Sequence, residues 1–186
     1  MERFAPDYPL ATERLLLRPF REDDLAAFHA LRSRPEVVRW LYEPPATEED
    51  ARSALDRRLA LDAIEADGDG LALVLEHRST GELLGDCGLT LVSEQHRLGE
   101  IGFVLHPDHQ GHGYATEAAR ELLRIAFDEL RLHRVIGRCE ARNDGSARVL
   151  ERLGMRREAH LVENEWVKDE WQSELVYALL DREWAS

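Results

Sequence analysis

The chain has 186 residues, 44% apolar and 33% charged, with a formal net charge of −13. That length fits one domain with a sizeable core. The acidic balance argues against a nucleic-acid surface, which needs clustered Lys and Arg, and no apolar run nears the ~20 residues of a membrane span. A cationic partner would gain from the same field, although an acidic surface also serves plain solubility.

Residues 1–11, with Pro6 and Pro9, read as a loose arm without the apolar core of a signal peptide, so a cytoplasmic location is expected. Leu15 to Arg18 reads as a strand stopped by Pro19. Arg21-Glu22-Asp23-Asp24 opens a helix with Leu25, Phe28 and Leu31 at helical spacing; Arg21 stands where a Ser or Thr cap belongs, so its start is expected to fray. Pro35 to Tyr42 is a short helix or turn, and Thr47-Glu48-Glu49-Asp50 is a capping box for a helix with Ala51, Leu55 and Leu59 on one face. Asp67 to Gly70 is a turn. Leu71 to Glu76 and Leu83 to Leu91 form an antiparallel pair around Ser79-Thr80-Gly81, followed by a polar connection, Ser93 to Leu98.

Gly99 to Leu105 is β-prone, and Pro107 and Asp108 break it. Gln110-Gly111-His112-Gly113-Tyr114-Ala115 then runs into a helix from Gly113 to about Leu130, with a stripe of Ala115, Ala118, Ala119, Leu122, Ala126 and Leu130. Two glycines at a strand-to-helix junction allow close approach of the backbone to a ligand, and the helix N-terminus offers unpaired N–H groups to an anion. A glycine-rich turn with no ligand is the alternative. Val135 to Cys139 is a further strand, Asn143 to Leu153 a helix closed by Gly154, and Arg156 to Val167 with Trp171 to Leu180 a closing hairpin. Cys87 and Cys139, far apart in strand-like runs, read as buried thiols rather than a disulfide or metal pair.

Gln110-x-x-Gly113-x-Ala115 after the strand Glu100–Leu105 resembles the acetyl-CoA signature of the GNAT N-acetyltransferase superfamily. Asn143-x-x-Ser146 followed by Val149-Leu150-Glu151-Arg152-Leu153-Gly154-Met155 is similar to its second conserved block. Ser146, the opening Thr12-Glu13-Arg14-Leu15-Leu16-Leu17-Arg18-Pro19-Phe20 and the ending Glu165-Trp166 with Tyr177-Ala178-Leu179 resemble the RimJ/RimL-like branch, which acetylates ribosomal-protein N-termini. The resemblance spans about residues 10–184. It implies one mixed α/β (α+β) domain over 1–186: a central, mostly antiparallel twisted sheet, splayed at the acetyl-CoA strand and flanked by helices.

The same resemblance implies a diphosphate held by the amides of Gly111, His112, Gly113, Tyr114, Ala115 and Thr116, beside Gln110, and a pantetheine arm along the main chain of Phe103, Val104 and Leu105. Asn143 reads as a helix cap, and by resemblance also touches the cofactor arm. Ser146 is placed by resemblance near the thioester sulfur, where its hydroxyl would donate to the leaving thiolate. Glu100, an acid within an apolar strand at the family's glutamate position, is the candidate base, its pKa expected to rise with burial; a water-facing carboxylate is the alternative. A strand amide near Val104 would meet the thioester oxygen. Leu150 stands where many members carry a tyrosine acid, which leaves Ser146 or solvent.

His106, His109 and His112 surround Asp108 in a loop broken by Pro107, and no metal site is read there. Trp166, Trp171 and Tyr177 read as sheet packing, and the resemblance implies that Trp40-Leu41-Tyr42 wall the acceptor pocket. Glu163, Glu165, Asp169, Glu170 and Glu174 read as a solvated face or as a welcome for a cationic peptide or polyamine. The expected function is acetyl transfer from acetyl-CoA to a primary amine, first a protein N-terminal α-amine. Alternatives are a small amine (aminoglycoside, polyamine or amino acid) and a non-catalytic acyl-CoA-binding module. Neither nucleic acid nor membrane is expected as a partner, and the chain is a monomer or homodimer.

Overall fold

Leu71, Leu73 and Leu75 alternate with Ala72, Val74 and Glu76, so one strand feeds two apolar layers. The computed structural model describes residues 2–184; Met1, Ala185 and Ser186 of the expected 1–186 domain lie outside the described residues. The strands are β1 (Leu10–Ala11), β2 (Leu15–Pro19), β3 (Asp62–Ala63), β4 (Gly70–His77), β5 (Leu83–Ser93), β6 (Leu98–Leu105), β7 (Arg134–Glu140), β8 (Arg156–Val167) and β9 (Glu170–Leu180). They form one sheet in the order β1-β2-β4-β5-β6-β7-β9-β8, with β3 on β4.

The helices are α1 (Leu25–Arg32), α2 (Pro35–Val38), α3 (Glu48–Leu59), α4 (Tyr114–Arg124) and α5 (Asp144–Arg152). Leu71, Leu73, Leu75, Cys87, Leu89 and Ile101 share the larger core with Ala118, Ala119 and Leu122 of α4 and Leu150 of α5. Val74 points the other way, into a second core with Phe20, Phe28 of α1, and Ala51 and Leu55 of α3. Each fully buried Leu or Phe in these layers contributes roughly 1.5–3 kcal/mol.

Among the described residues every strand pairing is antiparallel except β6 with β7, which run parallel from Leu98–Arg134 to Ile101–Gly137. Beyond Ile101 the two strands part, so Gly102 to Leu105 keep β5 on one side and no strand on the other. Helix α4 makes the β6-to-β7 crossover, and α4 and α5 therefore both begin past the carboxyl ends of these strands. In open sheets that is where ligands bind.

Several local expectations are corrected. The arm is tied down: Leu10 and Ala11 pair with Leu17 and Leu16, and Phe4 bridges Ile64. The α1 start, expected to fray, is bonded. Residues 22–24 form a 3₁₀ turn, and the Asp24 carboxylate accepts the Arg21 amide at 2.8 Å and Arg18 Nη1 and Nη2 at 2.8 Å each. Helix α4 stops at Arg124 and continues as a π turn over Ile125–Glu129. Trp166 and Trp171 are 58% and 57% exposed and stack edge-on against each other rather than packing the sheet; Tyr177 alone of the three is buried. The capping box of Thr47 and Asp50 and the left-handed Gly154 after α5 form as expected.

Three carboxylates link this scaffold to pH. Burial pushes Asp24 and Glu117 up, but their bonds to Arg18 and Arg21, and to Thr12 and Arg14, outweigh it and leave both low. Arg134 and Arg156 hold Glu158 down to about 2. A carboxylate lowered by folding stabilises above its unfolded pKa and loses that contribution as pH falls through its folded one. The thermal midpoint is therefore expected to be flat above pH ~5 and to fall steadily toward pH ~2. Scanning calorimetry across that range checks this; a flat profile contradicts it.

Candidate active site

Main-chain groups alternate along a strand, and His106 N–H donates to Leu84 O at 2.8 Å in the register that pairs Asp86 with Val104. Even-numbered residues of β6 thus address β5, and odd-numbered ones address the splay. Phe103 and Leu105 present their amides to the gap; the Leu105 carbonyl takes Gln110 Nε2 at 3.3 Å. Val104 turns its own amide to β5. The amide available to a thioester oxygen is therefore that of Phe103 or Leu105, and Val104 contributes its side chain to the opposite face.

At the end of β6 the loop turns through Gly111 (φ 79°) and Gly113 (φ 86°), the latter being the N-cap of α4. Among the described residues, none of the loop and cap hydrogen bonds is donated by an amide from Gly111 to Thr116. The Thr116 hydroxyl is buried and also without a partner. Orphan amides, an orphan hydroxyl and two left-handed glycines fit a diphosphate.

Sequence reasoning missed what flanks this cradle. Arg14 lays its guanidinium 4.6 Å from the Tyr114 ring centroid and donates Nη1 to His112 O at 2.8 Å. Its amide and Nε bind the two oxygens of Glu117 at 2.7 and 2.8 Å, and Thr12 Oγ1 donates to Glu117 at 2.6 Å. Without Arg14, the Glu117 carboxylate in the first turn of α4 would face an incoming anion. His112 stacks with Tyr114; His106 and His109 pack ring to ring at 5.5 Å, His109 also meeting Glu82 at 3.1 Å and His106 accepting the Asp108 amide.

Across the splay, Asn143 caps α5 by accepting the Ser146 amide at 3.1 Å, which leaves its side-chain NH₂ for other work. The half-buried Ser146 hydroxyl has no partner among the described residues. Leu150 is buried and fills the space a Cβ on Gly137 would occupy, with Cδ2 2.6 Å from that point.

The other face of the sheet holds a cleft of about 190 Å³. Register puts Glu100, Arg138 and Glu174 on that face, since Glu100 pairs with Ile136 and Arg138 with Val176. Glu100 accepts Arg138 Nε at 2.9 Å and is not enclosed by apolar groups; Glu174 lies 3.7 Å from the same guanidinium. Glu174 is 7% exposed, and burial raises its pKa. Glu165 accepts the Tyr42 hydroxyl at 2.7 Å. These two acids belong to the cleft, not to a solvated face, whereas Glu163, Asp169 and Glu170 are exposed. Trp40, Leu41 and Tyr42 line the cleft opposite them.

Residues 14–156 match the family profile described as Acetyltransferase (GNAT) domain. An uncharacterized N-acetyltransferase of Bacillus subtilis (strain 168), YnaD, is 34% identical over 175 residues, covering 94% of this chain and 98% of its own. The crystal structure of a GNAT-family acetyltransferase from Bacillus anthracis superposes with a TM-score of 0.83 at 32% identity, covering 93% of this chain and 98% of that one. Spermidine N(1)-acetyltransferase of Vibrio cholerae serotype O1 (strain ATCC 39315 / El Tor Inaba N16961) is 26% identical over 158 residues, 85% of this chain and 88% of its own. A splayed parallel pair, an amide cradle at the end of its first strand and a profile match over most of the length agree: the chain belongs to the GNAT family and is an acetyl-CoA-dependent N-acetyltransferase.

Proposed function

We propose that the acceptor is a cationic primary amine, and first the α-amine at a protein N-terminus. The observation that carries this is the cleft lining: Glu43, Glu100, Glu140, Glu165 and Glu174 against the single guanidinium of Arg138. Such a lining attracts an ammonium and repels an anionic acceptor. Exposed Trp166 and Trp171 lie on the strands that supply Glu165 and Gln172 to the cleft, and support an acceptor that continues as a chain beyond its amine.

Acetyl-CoA supplies an acyl thioester, whose acyl carbon an uncharged amine attacks as the C–S bond breaks. The Phe103 or Leu105 amide polarises the carbonyl. Glu100 takes the proton the amine loses on attack, directly or through water; the Ser146 hydroxyl protonates the departing sulfur and regains a proton from solvent, to which Glu100 in turn releases its own. Arg138 holds Glu100 in place from β7.

A thiol-release assay tests this with acetyl-CoA and a panel of free and N-blocked peptides, spermidine, amino acids and an aminoglycoside. Free peptides are expected to turn over and blocked ones not. Turnover of spermidine with no peptide activity would move the assignment to the second reading, a small polyamine, which the acidic lining and the spermidine-acetylating relative favour. Glu100→Gln and Ser146→Ala are each expected to lower kcat by roughly 10²-fold or more. Unchanged kcat in both would remove these roles while leaving the activity standing.

A further inference from the structure

Of the 24 Lys and Arg residues only one, Lys168, is a lysine. It sits in the two-residue turn between β8 and β9, where Val167 pairs with Glu170. Both Lys168 (φ 50°) and Asp169 (φ 62°) are left-handed, a turn that Asn-Gly or Asp-Gly forms most easily. A lysine there adopts a disfavoured backbone, and such strain persists where its surroundings enforce it.

The surroundings are two carbonyls. Lys168 Nζ donates to Val38 O and Leu41 O, both at 2.6 Å, across 130 and 127 residues. Burial lowers its pKa. Beyond the end of α2, residues 39–43 carry no helix or strand. Leu41 and Glu43 line the acidic cleft on one side and a second cleft, of about 240 Å³, on the other. A segment with open space on both sides has little packing to hold it. Leu41 N–H keeps a turn bond to Val38 O at 3.0 Å, and Arg39 and Arg142 lie 4.5 and 5.7 Å from the Trp40 ring centroid. Among the described residues, the side-chain hydrogen bonds that tie the segment to the sheet come from the β8–β9 hairpin: the Lys168 ammonium, and Glu165 through the Tyr42 hydroxyl.

We propose that Lys168 is a positioning residue for the acceptor: it fixes the 38–43 wall so that Trp40, Tyr42 and Glu43 face Glu100, Arg138 and Glu174, and thereby sets affinity for the amine. The proposal rests on the reading of this cleft as the amine site. It also accounts for a lysine in a chain that otherwise uses arginine. A compact ammonium on a flexible stem meets two converging carbonyls from a single atom.

Amide hydrogen exchange on the full chain, without acceptor, tests the holding role. In Lys168→Met, peptides covering 38–43 are expected to exchange about tenfold faster, while those covering 85–91 and 110–116 stay unchanged. Lys168→Arg is expected to recover part of the protection. Unchanged exchange at 38–43 overturns the proposal. With the amine that the panel identifies, Lys168→Met is expected to raise the amine KM about tenfold, with kcat and the acetyl-CoA KM within about twofold. A parallel rise in both KM values, or none in the amine's, overturns the acceptor role. Because exchange is read without an amine, it stands even if no panel amine is turned over. Should Lys168→Met fail to fold, Lys168→Arg and Tyr42→Phe give the same two readouts: faster exchange at 38–43 with a raised amine KM supports the proposal, and neither change overturns it.

Discussion

Replacing Gly113 by valine is expected to weaken acetyl-CoA binding by about 100-fold or more, measured by titration calorimetry. Two effects add. A β-branched residue at φ 86° strains the backbone by about 1–3 kcal/mol, which flattens or displaces the turn that aims the amides of residues 111–116. Its Cβ would also stand 3.4 Å from Arg14 Nη2, beside the place an anion must reach. Gly154→Val separates these effects. Gly154 has a similar φ of 82°, and nothing lies within 4 Å of its Cβ position. That variant is expected to lose comparable stability and to keep its affinity for acetyl-CoA. Equal affinity losses in the two would mean the loop amides are not the binding element.

The second large effect is expected at Asp86. Both its oxygens accept Arg32 Nη2, at 2.7 and 2.8 Å, and Arg58 Nε lies 3.9 Å away. Asp86 and Arg32 are buried, and burial already lowers the Arg58 pKa. Removing one partner from a buried ion pair typically costs about 3–5 kcal/mol, because the stranded charge keeps its desolvation penalty. Here one carboxylate serves two guanidiniums. Asp86→Asn is therefore expected to lower stability by about 3–5 kcal/mol, or Tm by roughly 10 °C. Arg32→Met should cost less, since Arg58 remains to face the carboxylate. Denaturant titration of both variants checks the order; Arg32→Met proving the more damaging would contradict it.

Local features were legible in the sequence because a few neighbouring residues decide them. The strand, glycine turn and helix from 99 to 124 are one continuous segment, and the Thr47 box, the Asn143 cap and the Gly154 terminator each lie within four residues of their partners. What escaped was non-local. Arg14 and Glu117 are 103 residues apart, and nothing in either neighbourhood announces the other. Glu100 resembles a lone carboxylate until β7 brings Arg138 beside it, 38 residues on. Glu174 sits in a charged run that suggests solvent; only the register of β9 on β7 turns it inward. Trp166 and Trp171 misled for the opposite reason: they pair with each other across β8 and β9, where β8 is the sheet's edge and the β7–β9 pairing has already ended at Glu174, so both stay exposed. One compositional signal was available unread: a solitary lysine amid arginines.

The two cysteines carry a practical consequence. Cys87 lies opposite Phe103 on β5, and Cys139 lies on β7 at the acidic cleft, so they bracket the splayed strand. Both thiols are free; burial raises Cys87 well above its usual range and Cys139 to about 11. Alkylating reagents need the thiolate, so neither sulfur should label while the fold is closed. Footprinting with such a reagent would then report breathing of the sheet from Cys87 and breathing of the core beneath α5 from Cys139, as two clocks in one unmodified chain.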